Sequence, residues 1–471
     1  MINGLKFYMA LCSGKLTYYL LRIMPTGGKS FPGLVFIKIA GKDALNKLAK
    51  RQLDMGSVLI TGTNGKTTTT TMIINLLSKD WKLSTSVGNN TLFSLTTDLL
   101  INKAQLGVYE YGIRDVKHGT PDLVSDYMQP VGVVYTNISR EHTQVAGVKN
   151  PFEDYLYAKT LLSRSLKKGI LITNADDPNV TWIGQNKEKD NTIVYYGFSL
   201  ENINDLFEIN PVKCPYCHEE LNYTKHYMGQ RGIYDCDCGF RRPEPNVKLT
   251  EFIVQDDSWK VTFNLDVYNY NIKSNILEDI TLNLPVVGIH NLYNILCAIT
   301  TYAAFSTGEN IKENIIEYYS NYDFEVPPGR FEILDVDNKI VGVGQGDNGD
   351  ALKVNSLLMT NYVDEELEFI YCTPDANEEE IFEDHLLSIN SLNPDNLIVI
   401  PGRTSVDAAK DYYNIIEKQY DSTFIPLEFD FEERINKIVD LVKNSNYKNI
   451  IISGCGEEIY FWDYLKKKLQ E

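Results

Sequence analysis

Short apolar runs closed by small or polar residues recur along this chain. Ser57-Val58-Leu59-Ile60, Leu106 to Tyr111, Val131 to Thr136 and Gly169 to Thr173 each read as a buried strand. Thr70 to Ser78 and Phe152 to Leu166 carry helical spacing between them. Strands alternating with helices predict an α/β protein whose parallel sheet is covered on both faces. The rhythm breaks at about residues 198–280, where short strands are expected around a cluster of cysteines and Trp259 to Leu265 alternates. A helix follows at about 289–306, and Pro327-Pro328-Gly329 sets the next boundary, because two prolines stop a helix. Alternation then resumes with strands at Lys339 to Val343, Leu367 to Tyr371, Asn396 to Ile400 and Asn449 to Ser453, enough for a Rossmann-like domain. The expected organisation is a short N-terminal region 1–54 suited to substrate docking, a central domain 55–326 and a C-terminal domain 327–471.

The N-terminal region is apolar but interrupted. Lys6, Lys15 and Arg22 fall inside every window long enough to span a bilayer, and no small-residue cleavage site follows a clean apolar core. A transmembrane helix and a signal peptide are therefore not expected, and a cytoplasmic location is. Two readings of these helices stay open: packing onto the next domain, or contact with a membrane surface or lipid-linked substrate.

Composition narrows the function class. The 471 residues carry 45 Lys and Arg against 63 Asp and Glu, a net charge of −18 that disfavours non-specific nucleic-acid binding. At 43% hydrophobic residues the chain has the material for several cores.

Chemistry concentrates first in Gly62-Thr63-Asn64-Gly65-Lys66-Thr67-Thr68, which follows the first strand and opens a Thr-rich helix. Backbone amides in such a loop converge on phosphate oxygens, Lys66 would reach the β- and γ-phosphates, and the Thr67 hydroxyl would hold Mg²⁺. The spacing is shorter than the usual phosphate loop, since Ile60 stands where its first glycine belongs. A nucleoside triphosphate is the expected ligand. The second concentration is Cys214-Pro215-Tyr216-Cys217 with Cys236-Asp237-Cys238-Gly239. Two close pairs supply four thiolates for a closed, structural Zn²⁺ site in an inserted zinc ribbon at about 210–242. A redox role for the C-x-x-C pair is disfavoured because no βαβ context surrounds it.

From the phosphate loop onward the sequence resembles the Mur ligase family, ATP-dependent amide-forming enzymes of cell-wall peptide assembly. Thr61 to Thr68 looks like that family's ATP loop, and the matches extend across most of residues 55–335. Thr136-Asn137-Ile138-Ser139-Arg140-Glu141-His142 is similar to the T-N-x-x-x-D-H segment, and Glu110 stands at the position of a metal-binding Glu. Asn174 to Pro178 resembles the N-A-D-D-P turn, Gly288 to Asn294 a helix start, and Pro328 to Glu332 the G-R-x-E hinge. The resemblance implies a Mg²⁺ role for Glu110 and His142, adenine contact for Asn291 and nucleotide contact for Arg330. It also implies that Lys159, in Ala158-Lys159-Thr160-Leu161-Leu162, is the lysine several members carry in carbamylated form.

Within the family, the cysteine ribbon is similar to that of the MurT-like branch, synthetase subunits that work with a glutaminase. Thr373 to Asp384 is acidic but lacks that branch's D-G-R-D motif, and Ile452 to Glu458 is similar to the A-G-K-G-H-E segment of MurE-like ligases. This mixture is expected of the ligases that build pseudomurein peptides. The resemblance implies a ligase that activates a carboxylate as an acyl phosphate and adds an amino acid to a nucleotide- or lipid-linked precursor. The alternatives are a glutamine-dependent amidotransferase subunit fed with ammonia, and a phosphate-loop ATPase serving as a regulatory module.

Overall fold

The structure is a computed structural model. It describes residues 4–23, 29–140, 151–187, 191–201, 211–255, 258–285, 288–322, 324, 329–360, 366–376, 378–402, 405–428, 430–456 and 459–471. Two compact units emerge. The larger comprises residues 1–138, 149–204 and 213–322, and the smaller is chiefly 323–471.

The larger unit is built on a nine-stranded sheet. Its strands are β1 (Ser57–Thr61), β2 (Leu83–Ser86), β3 (Leu106–Glu110), β4 (Pro130–Tyr135), β5 (Ile170–Asn174), β6 (Thr192–Phe198), β9 (Val247–Gln255), β10 (Ser258–Tyr268) and β11 (Asn275–Pro285). Between β6 and β9 a separate two-stranded ribbon pairs β7 (Asn222–Met228) with β8 (Arg231–Asp235). The sheet order is β11-β10-β9-β6-β5-β4-β1-β3-β2, parallel from β9 to β2 and antiparallel across β9, β10 and β11. The fully buried strands β1, β3 and β5 are the continuous apolar runs of the sequence, as a sheet covered on both faces requires.

Two expectations need correction here. The region after residue 198 is not uniformly short-stranded: among the described residues β7 and β8 lie beside the cysteines, and β10 and β11 run for 11 residues each. The sheet is also not wholly parallel. The alternation from Trp259 to Leu265 is the mark of an antiparallel strand with one face buried, and β10 shows that pattern along its length.

Three helices precede β1: α1 (Gly4–Leu21), α2 (Phe31–Ala40) and α3 (Ala44–Gln52). Phe7, Ala10 and Leu11 of α1 join Phe36 of α2 and Leu45 and Leu48 of α3 in one core with Leu95 and Leu99. The last two belong to α5 (Leu92–Ile101), which follows α4 (Lys66–Leu77). Backbone contact between α2 and α5 is close: a Cβ on Gly33 would stand 2.0 Å from the Phe93 carbonyl oxygen, and the Gly33 amide donates to Thr97 Oγ1 at 2.9 Å.

The smaller unit carries a six-stranded sheet of order β12-β13-β17-β14-β15-β16. These are β12 (Glu332–Val336), β13 (Lys339–Gln345), β14 (Leu367–Cys372), β15 (Asn396–Ile400), β16 (Ser422–Phe424) and β17 (Asn449–Gly454). Only β12 runs antiparallel; the other pairings are parallel, with helices between the strands.

Candidate nucleotide and metal site

β1 ends at Thr61 and α4 begins at Lys66, so residues 62–65 make the whole turn. Gly65 closes it in the left-handed conformation at φ 75°, a state that costs a side-chain-bearing residue about 1–2 kcal/mol. The first amides of α4 have no partner within the helix and are available to an anion. Lys66 lies over this turn, its Nζ donating to the Thr63 carbonyl at 2.6 Å.

The end of β4 braces the turn from the side. The Asn64 amide donates to Asn137 Oδ1 at 2.9 Å, while Asn137 Nδ2 and Thr136 Oγ1 both donate to the Asn64 carbonyl at 2.9 Å. Thr63 Oγ1 pairs with the Tyr155 hydroxyl at 3.0 Å. Lys159, on the helix Pro151–Thr160, is only 1% exposed; its ammonium donates to the Gly62 carbonyl at 3.0 Å and lies 4.5 Å from the Tyr155 ring centre. Lys159 thus faces the phosphate loop.

At the end of β3, Glu110 is 2% exposed and accepts from Thr67 Oγ1 at 3.1 Å, the Gly88 amide at 2.9 Å and Asn90 Nδ2 at 3.3 Å. A carboxylate and a hydroxyl at the mouth of a phosphate loop are hard oxygen donors of the kind Mg²⁺ takes. On the other side, the helix Ile289–Phe305 sends Asn294 to the turn. Asn294 Oδ1 accepts from Thr69 Oγ1 at 3.1 Å, and its Nδ2 donates to Asn291 Oδ1 at 2.9 Å.

Sequence-predicted residues 62–68, Glu110, Lys159 and Asn291 therefore gather around one turn. His142 lies outside the described residues, and Arg330 belongs to the smaller unit. Gly88, Asn90 and Tyr155 went unread because two of these contacts run through loop polar groups and one through a phenol that resembles a core aromatic. The Gly88-Asn89-Asn90 turn after β2 was the available signal.

The N-A-D-D-P turn is a structural knot. Asp176 is fully buried and accepts from Arg242 Nε at 2.7 Å, the Phe198 amide at 2.8 Å and the Tyr293 hydroxyl at 2.8 Å. Burial pushes its carboxyl up, and Arg242 and these donors oppose that push. Asp177 caps the helix Pro178–Gln185 through the Asn179 and Val180 amides, and burial raises it to about 6. The ribbon docks on the same turn: the Gly232 amide donates to the Asp176 carbonyl, and the Tyr234 hydroxyl to that of Ala175, both at 3.0 Å.

The four cysteine sulfurs of the ribbon, Cys214, Cys217, Cys236 and Cys238, all lie within 4.8 Å of one another. Cys214 and Cys238 are 3.6 Å apart, and Cys217 and Cys236 3.4 Å. Sulfurs on a tetrahedral zinc stand about 3.8 Å apart, so the donor set and spacing fit that ion. Each pair sits on a tight turn, closed by the His218 amide on the Cys214 carbonyl and the Gly239 amide on that of Cys236.

A phosphate loop on a parallel sheet, a carboxylate at the next strand end and a second α/β unit define a class. Residues 60–228 match the Mur ligase middle domain. Among relatives, it is 27% identical over 304 residues to the lipid II isoglutaminyl synthase (glutamine-hydrolyzing) subunit MurT of Streptococcus pneumoniae, covering 63% of this chain and 62% of that one. The MurT subunit of Staphylococcus aureus strain N315 is likewise 27% identical, over 323 residues and 67% of each chain. The matched stretch thus spans about two thirds of these relatives' length. In fold the chain is similar to a pseudomurein peptide ligase type C from Methanothermus fervidus, with a TM-score of 0.67 and 24% identity over 90% of this chain and 81% of that one.

Proposed function

We propose that this protein is an ATP-dependent ligase that forms an amide bond on a cell-wall peptide precursor. The observation that carries the reading is the Thr67–Glu110 pair set at the mouth of a glycine-closed phosphate loop. Loop amides and the start of α4 would bind the phosphates of ATP, with Lys66 released from Thr63 to meet them. Thr67, Glu110 and His142 would hold Mg²⁺, which supplies neutralisation of phosphate charge when bound. Lys159, facing the same loop, is the proposed carbamylation site. A substrate carboxylate oriented here takes the γ-phosphoryl group, and an amine then displaces phosphate. Asn291 would contact adenine; Arg330 and the smaller unit, which we read as a Rossmann-like domain 327–471, would serve closure and delivery of the amine.

The cysteine ribbon is read as a structural zinc site, because all four positions are supplied by the chain and none is left for chemistry. One zinc per chain by elemental analysis, lost with Cys217→Ser, supports this; a zinc-free, fully stable wild type overturns it.

An amino acid is the proposed amine. The similarity to MurT subunits favours a second reading, in which ammonia from a glutaminase partner takes that place. Phosphate release from ATP with wall-peptide precursors, tested with single amino acids and with ammonia, separates the two. Hydroxylamine trapping of the acyl phosphate tests the shared step. Full turnover by Lys66→Ala would overturn the mechanism.

A further inference from the structure

The N-terminal helix α1 has two apolar faces, and among the described residues only one is buried. Phe7, Ala10, Leu11 and Gly14 are buried. On the opposite side Leu5, Met9, Cys12, Leu16 and Tyr19 succeed one another at spacings of four and three, a single stripe along about 21 Å of helix that Ile23 continues in the turn after it. Leu5 is 69% exposed, Leu16 61% and Ile23 85%. Helical geometry places Lys6 on one flank of this stripe and Lys15 on the other, and Arg22, in the turn after the helix, lies 5.4 Å from the Tyr18 ring centre. The α3 helix adds to the second flank. Arg51 Nη1 donates to the exposed Tyr8 hydroxyl at 3.5 Å, and Lys47 Nζ lies 4.5 Å from the Phe7 ring centre and 5.9 Å from that of Tyr8.

Charge selects the occupant. Residues 1–54 hold nine Lys and Arg against two Asp and Glu, in a chain whose net charge is −18. An apolar stripe edged by cations and bearing exposed tyrosines matches the boundary between lipid headgroups and acyl chains. A second copy of the chain fits worse. It would bring these basic flanks against each other, and the stripe is shorter than the three or four heptads that sustain a coiled coil. We propose that α1, flanked by α3, docks this protein on the surface of an anionic lipid bilayer. The docking does not depend on the ligase reading.

Sedimentation of the full chain with vesicles tests this, using phosphatidylcholine alone and phosphatidylcholine with roughly 30% phosphatidylglycerol. Binding to the anionic vesicles, weak binding to the neutral ones and loss at high salt are expected. Leu16→Glu with Ile23→Glu alters only exposed positions and should weaken binding at least about tenfold, as should Lys47→Glu with Arg51→Glu. An unchanged melting temperature confirms that these variants fold. Absence of binding to anionic vesicles, or binding indifferent to both pairs, would overturn the proposal. So would a vesicle-independent dimer that Leu16→Glu with Ile23→Glu dissolves. Since ATP is not needed for the assay, its result stands apart from that of the ligation test.

Discussion

Asn294 Oδ1 lies where a side chain at position 65 would begin: a Cβ on Gly65 would stand 2.3 Å from it. The left-handed turn and the asparagine that braces it therefore allow only glycine. Gly65→Ala is expected to lower ATP affinity at least about tenfold through backbone strain and the displaced Asn294. Titration calorimetry with ATP and Mg²⁺ checks this. Adding Asn294→Gly should restore part of the loss, since it removes the clash and leaves the strain; no restoration would show that the asparagine contact is irrelevant.

Glu110 gathers a hydroxyl, an amide and a carboxamide onto one carboxylate. Glu110→Gln keeps the shape and removes the charge. Turnover should fall on the order of 10²–10³-fold, with a raised Mg²⁺ requirement and little change in melting temperature. Steady-state rates across a Mg²⁺ series provide the test. A variant with native turnover would exclude Glu110 from the metal site.

The Asp176–Arg242 pair is buried on both sides, with side chains 0% and 8% exposed. Arg242→Leu strands a carboxylate in the interior and should cost about 3–5 kcal/mol in urea unfolding. Asp176→Asn together with Arg242→Leu removes both charges and should recover much of that loss. Equal destabilisation by the single and double variants would argue that packing, not charge, is what Arg242 supplies.

His385 is fully buried beside the Tyr371 hydroxyl, 2.9 Å from Nδ1, and burial pushes its imidazole down to about 4. An unfolded histidine titrates near 6.5. As pH falls the unfolded chain takes up this proton first. The group's contribution is full above 6.5, declines between 6.5 and about 4, and stays lost below. The depression corresponds to about 3 kcal/mol. Urea midpoints of wild type and His385→Gln should converge over that window, and parallel curves would refute the assignment.

Much of this architecture was legible in the chain. Ser57 to Ile60 and Leu106 to Tyr111 read as strands because a strand buried on both faces must be continuously apolar. Lys66, Thr67 and the four cysteines stood out because their spacing is that of phosphate and metal ligands. What escaped notice depended on distance along the chain or on the backbone. Arg242 meets Asp176 across 66 residues, and Gly88 reaches Glu110 through an amide that every residue but proline possesses. The antiparallel β9–β11 edge was underread because one alternating run does not reveal how long its neighbours are.

The pairing of β6 with β9 has a consequence for how the ribbon is anchored. Tyr196, Gly197 and Phe198 lie parallel to Val247, Lys248 and Leu249, and a parallel connection ordinarily returns through a crossover helix. Among the described residues the return path carries the cysteine hairpin, which buries Tyr227 and Tyr234 and docks on the Ala175-Asp176 turn. That turn bonds to β6 as well, through Ala175 on Tyr196 and Phe198 on Asp176, so whatever unseats the hairpin would be felt along the sheet.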